Sequence, residues 1–304
     1  MLAASCGGSG GKEQAGPESA VEESTGVGAL PDWVRDRVGA EQAGALGLIF
    51  GTADHAPGPN RVSFVVVRAD ESLVQAPEAD VYYGLARAKL PSKAKARLFP
   101  LGPHTHPPGT KPHDHPDVTD LYVARVAFPR AGRYWFVVEP EGESKAAAAL
   151  LDVRKETFSP RVGAKAVSSD NPTLADAPAA KITTARPPDR PLLRYSVAGS
   201  LRDRAPFVVV FATPLYCQSR TCGPVVDVVD AVRKRLAGSP VRFIHIEVYE
   251  GNDPKQGLNR WMKEWLLPTE PWVFLVDRRG VIRAKFEGAV SVEEVEAAVR
   301  RYLV

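Results

Sequence analysis

From about Gly47 the apolar positions fall into short runs: Leu48–Phe50, Arg61–Arg68, Ala79–Leu85, Asp120–Phe128 and Arg133–Glu139. They are rich in Val, Tyr, Phe and Leu, several alternate, and Pro, Gly, Asp or Asn separate them, which is the pattern of half-buried strands. Leu121–Phe128, the turn Pro129-Arg130-Ala131-Gly132 and Arg133–Val138 predict a hairpin. Several short strands with turn chemistry between them predict an antiparallel sandwich. Residues 7–29, rich in Gly, Ser, Glu and Ala, bury too little to offset ordering entropy and predict a flexible tether. Residues 157–190, dominated by Pro, Ala, Ser, Thr and Asp, predict a linker.

Beyond residue 190 the pattern changes. Phe207–Phe211 is continuously apolar, as in a strand covered on both faces. Valines 225, 226, 228, 229 and 232 with Leu236 have helical spacing that stops at Gly238. Arg242–Val248 predicts a strand. Pro254–Leu267 predicts a helix whose Trp261, Met262 and Trp265 pack in a core. Trp272–Val276 and Val281–Phe286 predict a hairpin, and Ser291 with Glu294 predicts a capping box opening a last helix. With a strand at Leu192–Tyr195 in front, the order is that of an α/β domain.

Two resemblances follow from these residues. Tyr122-x-Ala124-x-Val126-x-Phe128 followed by Ala131-Gly132-x-Tyr134-Trp135 resembles the last strands of immunoglobulin-like exported domains of the YtkA/FixH kind. The stretch Phe211 to Pro224, with Tyr216 before Cys217 and a second cysteine at 222, resembles the active-site loop of thioredoxin-like proteins of the TlpA/redoxin type. Thr269-Glu270-Pro271 before an apolar strand resembles that family's cis-proline segment, and the likeness covers roughly residues 190–304. The expected organisation is therefore a tether (1–29), an all-β immunoglobulin-like sandwich (30–156), a Pro/Ala-rich linker (157–190) and a thioredoxin-like α/β domain (191–304).

The resemblance implies thiol–disulfide chemistry at Cys217, Cys222 and Pro271, with Tyr216, Glu270 and Arg220 lining the substrate site. The physics of cysteine assigns the same roles. A helix N-terminus stabilises a thiolate, so Cys217 is read as the nucleophile and Cys222, nearer the helix, as the resolving thiol. Arg220 would favour the thiolate if it points inward, and Glu270 would disfavour it by like-charge repulsion. The chain departs from the family in spacing four residues between the cysteines instead of two. It also lacks an acid in residues 207–212. A peroxiredoxin pattern, Phe-x-x-Pro-x-x-Cys, is contradicted by Pro214, which replaces that family's threonine. The bland alternative is a structural disulfide in a non-catalytic binding module.

Composition narrows the partners. The 304 residues carry 39 basic and 36 acidic side chains, net +3, with no long basic tract, so nucleic acid is excluded as an expected partner. No apolar run approaches the roughly 20 residues of a membrane-spanning helix. Leu2-Ala3-Ala4-Ser5-Cys6 before a glycine run resembles a bacterial lipobox. That resemblance implies lipidation of Cys6, a true start codon upstream of Met1, and an extracytoplasmic, lipid-anchored protein whose partners are cell-envelope thiols and disulfides. A free cysteine in a disordered tail is the alternative. His104, His106, His113 and His115 share one Pro-rich loop; in extended chain each i, i+2 pair points one way and offers imidazoles to copper or zinc. Otherwise the loop is a solvated one and no cofactor is expected. Copper handling is thus a third functional class. His55 carries no signal, and His245 reads as a packed core residue.

Overall fold

An alternating run that buries one face must find a partner face, and the five runs read before residue 140 find theirs by pairing edge to edge with one another and with two strands the pattern did not mark, Ser92–Pro100 and Ala147–Val153. The computed structural model describes residues 30–39, 46–101, 119–217 and 221–304. Pro31–Val304 form one compact unit. A short helix, α1 (Asp32–Val38), buries Trp33 and Val34. It precedes β1 (Gly47–Phe50), β2 (Gly58–Val67), β3 (Glu78–Leu85), β4 (Ser92–Pro100), β5 (Asp120–Phe128), β6 (Gly132–Pro140) and β7 (Ala147–Val153). These form one antiparallel sheet in the order β1-β2-β5-β4-β3-β6-β7. The sheet curls until its ends meet through a bridge between Leu46 and Ala147, leaving a nearly closed barrel.

Alternation decides what fills the barrel. Along β5, Tyr122, Ala124, Val126 and Phe128 point inward, where they join Phe64, Tyr83, Tyr134 and Phe136. The rings of Phe64 and Tyr122 stack at 5.5 Å, and Phe128 meets Tyr134 at 4.8 Å. Leu121 and Val123 point outward and are covered by Leu101 and Ala289. The chain after residue 156 therefore packs on the outer face of the barrel.

That later part contains α2 (Ala179–Ile182), α3 (Val197–Arg202), β8 (Phe207–Phe211), α4 (Cys222–Arg235), β9 (Arg242–Ile246), α5 (Arg260–Glu264), β10 (Trp272–Val276), β11 (Ile282–Glu287) and α6 (Val292–Tyr302). A four-stranded sheet has the order β11-β10-β8-β9, with only β8 and β9 parallel. Val208, Val210 and Ala212 face α4 and α6. Phe207, Val209 and Phe211 face Met262, Trp265 and Trp272, so β8 is buried on both sides, as its unbroken apolar run requires. Residues 157–190 lie along this sheet: Gly163 and Ala166 donate backbone hydrogen bonds to Ile282 and Gly280, and the Phe158 ring meets Trp272 at 5.8 Å.

These observations correct the expected fold class. The protein is mostly β, 33% strand against 23% helix, and does not combine an immunoglobulin-like sandwich with a thioredoxin-like α/β domain. The sandwich is replaced because all seven strands join one sheet that curls round until its ends meet, so its inner face packs on itself. The predicted hairpin fails for the same reason. Both edges of β5 are taken by β2 and β4, and β6 pairs with β3 and β7. In the later part the expected opening strand at Leu192–Tyr195 is absent. Residues Arg190–Leu193 form a 3-10 turn, with Pro191 lacking the N–H a ladder needs. The helix expected over 254–267 shrinks to the five residues of α5. The capping box at Ser291 and Glu294 is present.

Glu294 also joins the two sheets. Its carboxylate receives a bidentate pair from Arg61 of β2, Nε at 2.8 Å and a terminal nitrogen at 2.9 Å. Both side chains are buried, 8% and 5% exposed. Nearby, Lys285 meets Asp54 at 2.9 Å, and Glu287 accepts the backbone N–H groups of Ala53 and Asp54 at 2.8 and 2.9 Å. Arg61→Met leaves Glu294 as an uncompensated buried charge, so a loss of about 3–5 kcal/mol is expected. Urea unfolding of the full chain checks it. A midpoint unchanged from the parent would show that the pair contributes nothing.

Candidate functional site

The strand β8 ends at Phe211, and the turn that follows is held from beneath. The carbonyl of Thr213 accepts the N–H groups of Tyr216 and Cys217 at 3.2 and 3.1 Å. His245, buried on β9, places Nε2 2.9 Å from the Ala212 carbonyl. Leu215 donates its N–H to the Thr184 hydroxyl at 3.2 Å, and the Thr184 N–H donates to the buried Glu247 carboxylate at 2.6 Å. Thr184 belongs to the stretch read as a linker; here it is part of the support for the cysteine loop. Nothing in the residues around His245 and Glu247 announces that role, because their partners Ala212 and Thr184 lie 33 and 63 residues away.

The turn delivers Cys217 to the start of α4. The Cys222 N–H, one of the helix's unpaired donors, points at the Cys217 sulfur at 3.3 Å. The sulfur thus accepts from the first N–H of α4. Cys217 is half-buried and packed against the core between sheet and helices; Cys222 is fully buried. The two are not joined by a disulfide. Burial pushes the Cys222 thiol well above its ordinary value. Hydrogen bonding and charge from Cys217 add to this, and the Thr213 N–H opposes it. On the outer side, Leu215 is 56% and Tyr216 40% exposed, which leaves an apolar surface beside Cys217.

Register brings the remaining group in. Trp272 pairs with Phe211, so the residues just before β10 lie beside the cysteine turn. The Glu270–Pro271 peptide is cis. Burial raises the Glu270 carboxyl, the charge at Cys217 raises it further, and a hydrogen bond with Tyr249 opposes the rise. The Tyr249 hydroxyl is raised in turn by burial and by the charge of Glu270. Cys217, Cys222, Glu270 and Tyr249 thus form one electrostatic cluster. Sequence reading placed the first three and missed Tyr249, which sits just past β9 and carries no motif. Arg220 lies outside the described residues, as do Cys6, His104, His106, His113 and His115. Among the described residues no group of three or more His, Cys, Asp or Glu could hold a metal ion. No helix among them is long and apolar enough to cross a membrane.

A raised carboxyl value works against the folded state once the group ionises. The contribution of Glu270 to stability is complete below its ordinary value of 4.5 and is lost as pH rises through the higher folded value. Glu270→Gln is therefore expected to melt higher than the parent at pH 7, with the gain vanishing below pH 4.5. Thermal unfolding across that range checks it, and a gain independent of pH would contradict the assignment.

No family model matches the chain, and no curated protein matches it. Among solved structures, a conjugative transposon lipoprotein from Bacteroides eggerthii is 12% identical, covers 36% of this chain and 96% of its own, and aligns with a TM-score of 0.18. That distant likeness carries neither fold nor function. The mostly β architecture overturns the resemblances to thioredoxin-like and YtkA/FixH-like families on which the expected organisation rested.

Proposed function

We propose that this protein exchanges thiols and disulfides with other polypeptides through Cys217 and Cys222. The observation that carries the reading is the arrangement at the start of α4: a half-exposed sulfur accepting the Cys222 N–H at 3.3 Å, with a buried second thiol behind it. An N–H at a helix N-terminus is a better partner for a thiolate than for a thiol, because the aligned peptide dipoles favour negative charge there. The exposed Leu215 and Tyr216 give an incoming polypeptide an apolar surface next to the nucleophile.

In the reductive direction the Cys217 thiolate attacks one sulfur of a substrate disulfide, and the other sulfur leaves with the bonding pair. Cys222, once deprotonated, attacks the Cys217 sulfur of the mixed disulfide. The substrate's second sulfur leaves as a thiolate and takes a proton. Two electrons have then passed from the cysteine pair to the substrate, and the Cys217–Cys222 disulfide remains. Oxidation of a substrate dithiol is the reverse. The setting proposed from Cys6 is lipid-anchored and extracytoplasmic, with cell-envelope proteins as partners. The copper or zinc reading rests on His104, His106, His113 and His115 alone.

Titration of the full chain in glutathione buffers, with Cys6 changed to Ser and thiols counted by intact mass, tests the reading. A midpoint between about −120 and −270 mV is expected of an exchanging pair. In that background Cys222→Ser should retain a mixed disulfide on Cys217. A pair still oxidised below about −300 mV would mark a structural disulfide and the non-catalytic binding module.

A further inference from the structure

The segment carrying Glu270 and Pro271 is held by the barrel-like sheet as well as by its own. The Pro271 carbonyl accepts the Gly288 N–H at 2.8 Å. Trp272 and Glu287, each one residue further along, are paired in the ladder. Glu287 then reaches across the seam, and one carboxylate oxygen takes the N–H groups of both Ala53 and Asp54. At Gly288 (φ +70°) an added Cβ would lie 2.4 Å from the Gly51 carbonyl, so the two chains touch there backbone to backbone. Arg61 ties the next residue with a 2.9 Å bond to the Ala289 carbonyl.

The receiving segment is itself anchored. Asp54 accepts from the Phe158 N–H at 2.8 Å, the Ser159 hydroxyl at 2.6 Å and Lys285 at 2.9 Å. A continuous path of hydrogen bonds and backbone contact therefore runs from residues 51–54 through Glu287 and Gly288 to Pro271. Its far end is the carboxylate that faces Cys217.

We propose that Glu287 is a positioning residue for the thiol site: through Gly288 it holds the Glu270–Pro271 segment against Cys217, with residues 51–54 as its anchor. The proposal rests on reading Cys217 and Cys222 as an exchanging pair. Dithiol and disulfide differ in the charge and shape of Cys217, the group Glu270 faces, so a displaced Glu270 changes the balance between them. The barrel-like sheet is on this account a structural part of the redox site. The charged groups that face Glu287 are Asp54 and Lys285. They remain in place when Glu287 is replaced by its neutral isostere.

The test is the equilibrium constant of the Cys217–Cys222 pair with reduced and oxidised glutathione, measured on the full chain carrying Cys6→Ser. Glu287→Gln is expected to shift the constant about fivefold or more. Arg61→Lys, which keeps a positive charge opposite Glu294 but weakens the hold on the Ala289 carbonyl, should shift it in the same direction by less. It also serves as the milder variant if Glu287→Gln does not fold. Val299→Ala, a cavity in the buried face of α6, controls for general destabilisation. The proposal is overturned if the Glu287 and Arg61 variants melt lower yet leave the constant unchanged, or if Val299→Ala moves it as far. Exchange in the parent chain with no response to Glu287 sinks this proposal alone. A parent that does not exchange with glutathione at all sinks the reading of the thiol pair, and this proposal with it.

Discussion

The Glu294 carboxylate does two things that would otherwise need separate residues, and the relation between the two sheets depends on it. It completes the capping box at the start of α6, where its partner is the backbone of Ser291. It also receives both arms of the Arg61 guanidinium from β2. A charge this deeply buried is costly unless every lone pair is used, so the helix start, the outer face of β2 and the seam must form together. The apolar contact of Leu121 and Val123 with Ala289 lies beside the pair and adds area without direction. The ion pair supplies the register.

Once the seam is set, the position of the cysteine loop follows from groups that are neither catalytic nor near it in sequence. His245 on β9 and Glu247 just past its end are buried, where polar side chains need partners. They find them in the Ala212 carbonyl and the Thr184 N–H. The loop thus satisfies buried polar groups of β9 while those groups hold it still. A site on a turn between strand and helix gains precision in this way without a rigid loop of its own. The Cys217 sulfur then accepts the first N–H of α4.

The electrostatics of the site pull in opposite directions. The helix start favours negative charge on Cys217, while Glu270 opposes it. Each is half-buried, so neither effect is fully screened by solvent. Which one prevails depends on where Glu270 sits and how fully it is ionised. Because Tyr249 bonds to Glu270, and Pro271 is held through Gly288, both are decided by neighbours far from the cysteines along the chain.

Local patterning was enough to find most strands, the helix after Cys222, the capping box and the spacing of the two cysteines; Glu270 and Pro271 were named only through a resemblance. Each of the former is written in a window of a few residues: a two-residue period, a valine stripe at helical spacing, Ser-x-x-Glu, Cys-x4-Cys. The architecture was not legible in the same way. Which strand edges pair is decided by long-range burial, so the turn Pro129–Gly132 marked a reversal of the chain correctly and a hairpin wrongly. The run at Leu192 looked like a strand because apolarity alone does not reveal the 3-10 turn that Arg190–Leu193 form, with Pro191 in its first turn. Arg61 and Glu294, 233 residues apart, meet only because the barrel and the second sheet share a seam, and Thr184 and Glu247, 63 apart, only because the stretch before β8 folds back on the end of β9. The sequence by itself determined most of the elements and the positions of the two cysteines. The pairing of the strands, the seam and the setting of Cys217 among Cys222, Glu270 and Tyr249 were decided by tertiary structure, because those contacts exist only when distant segments bury one another's polar groups.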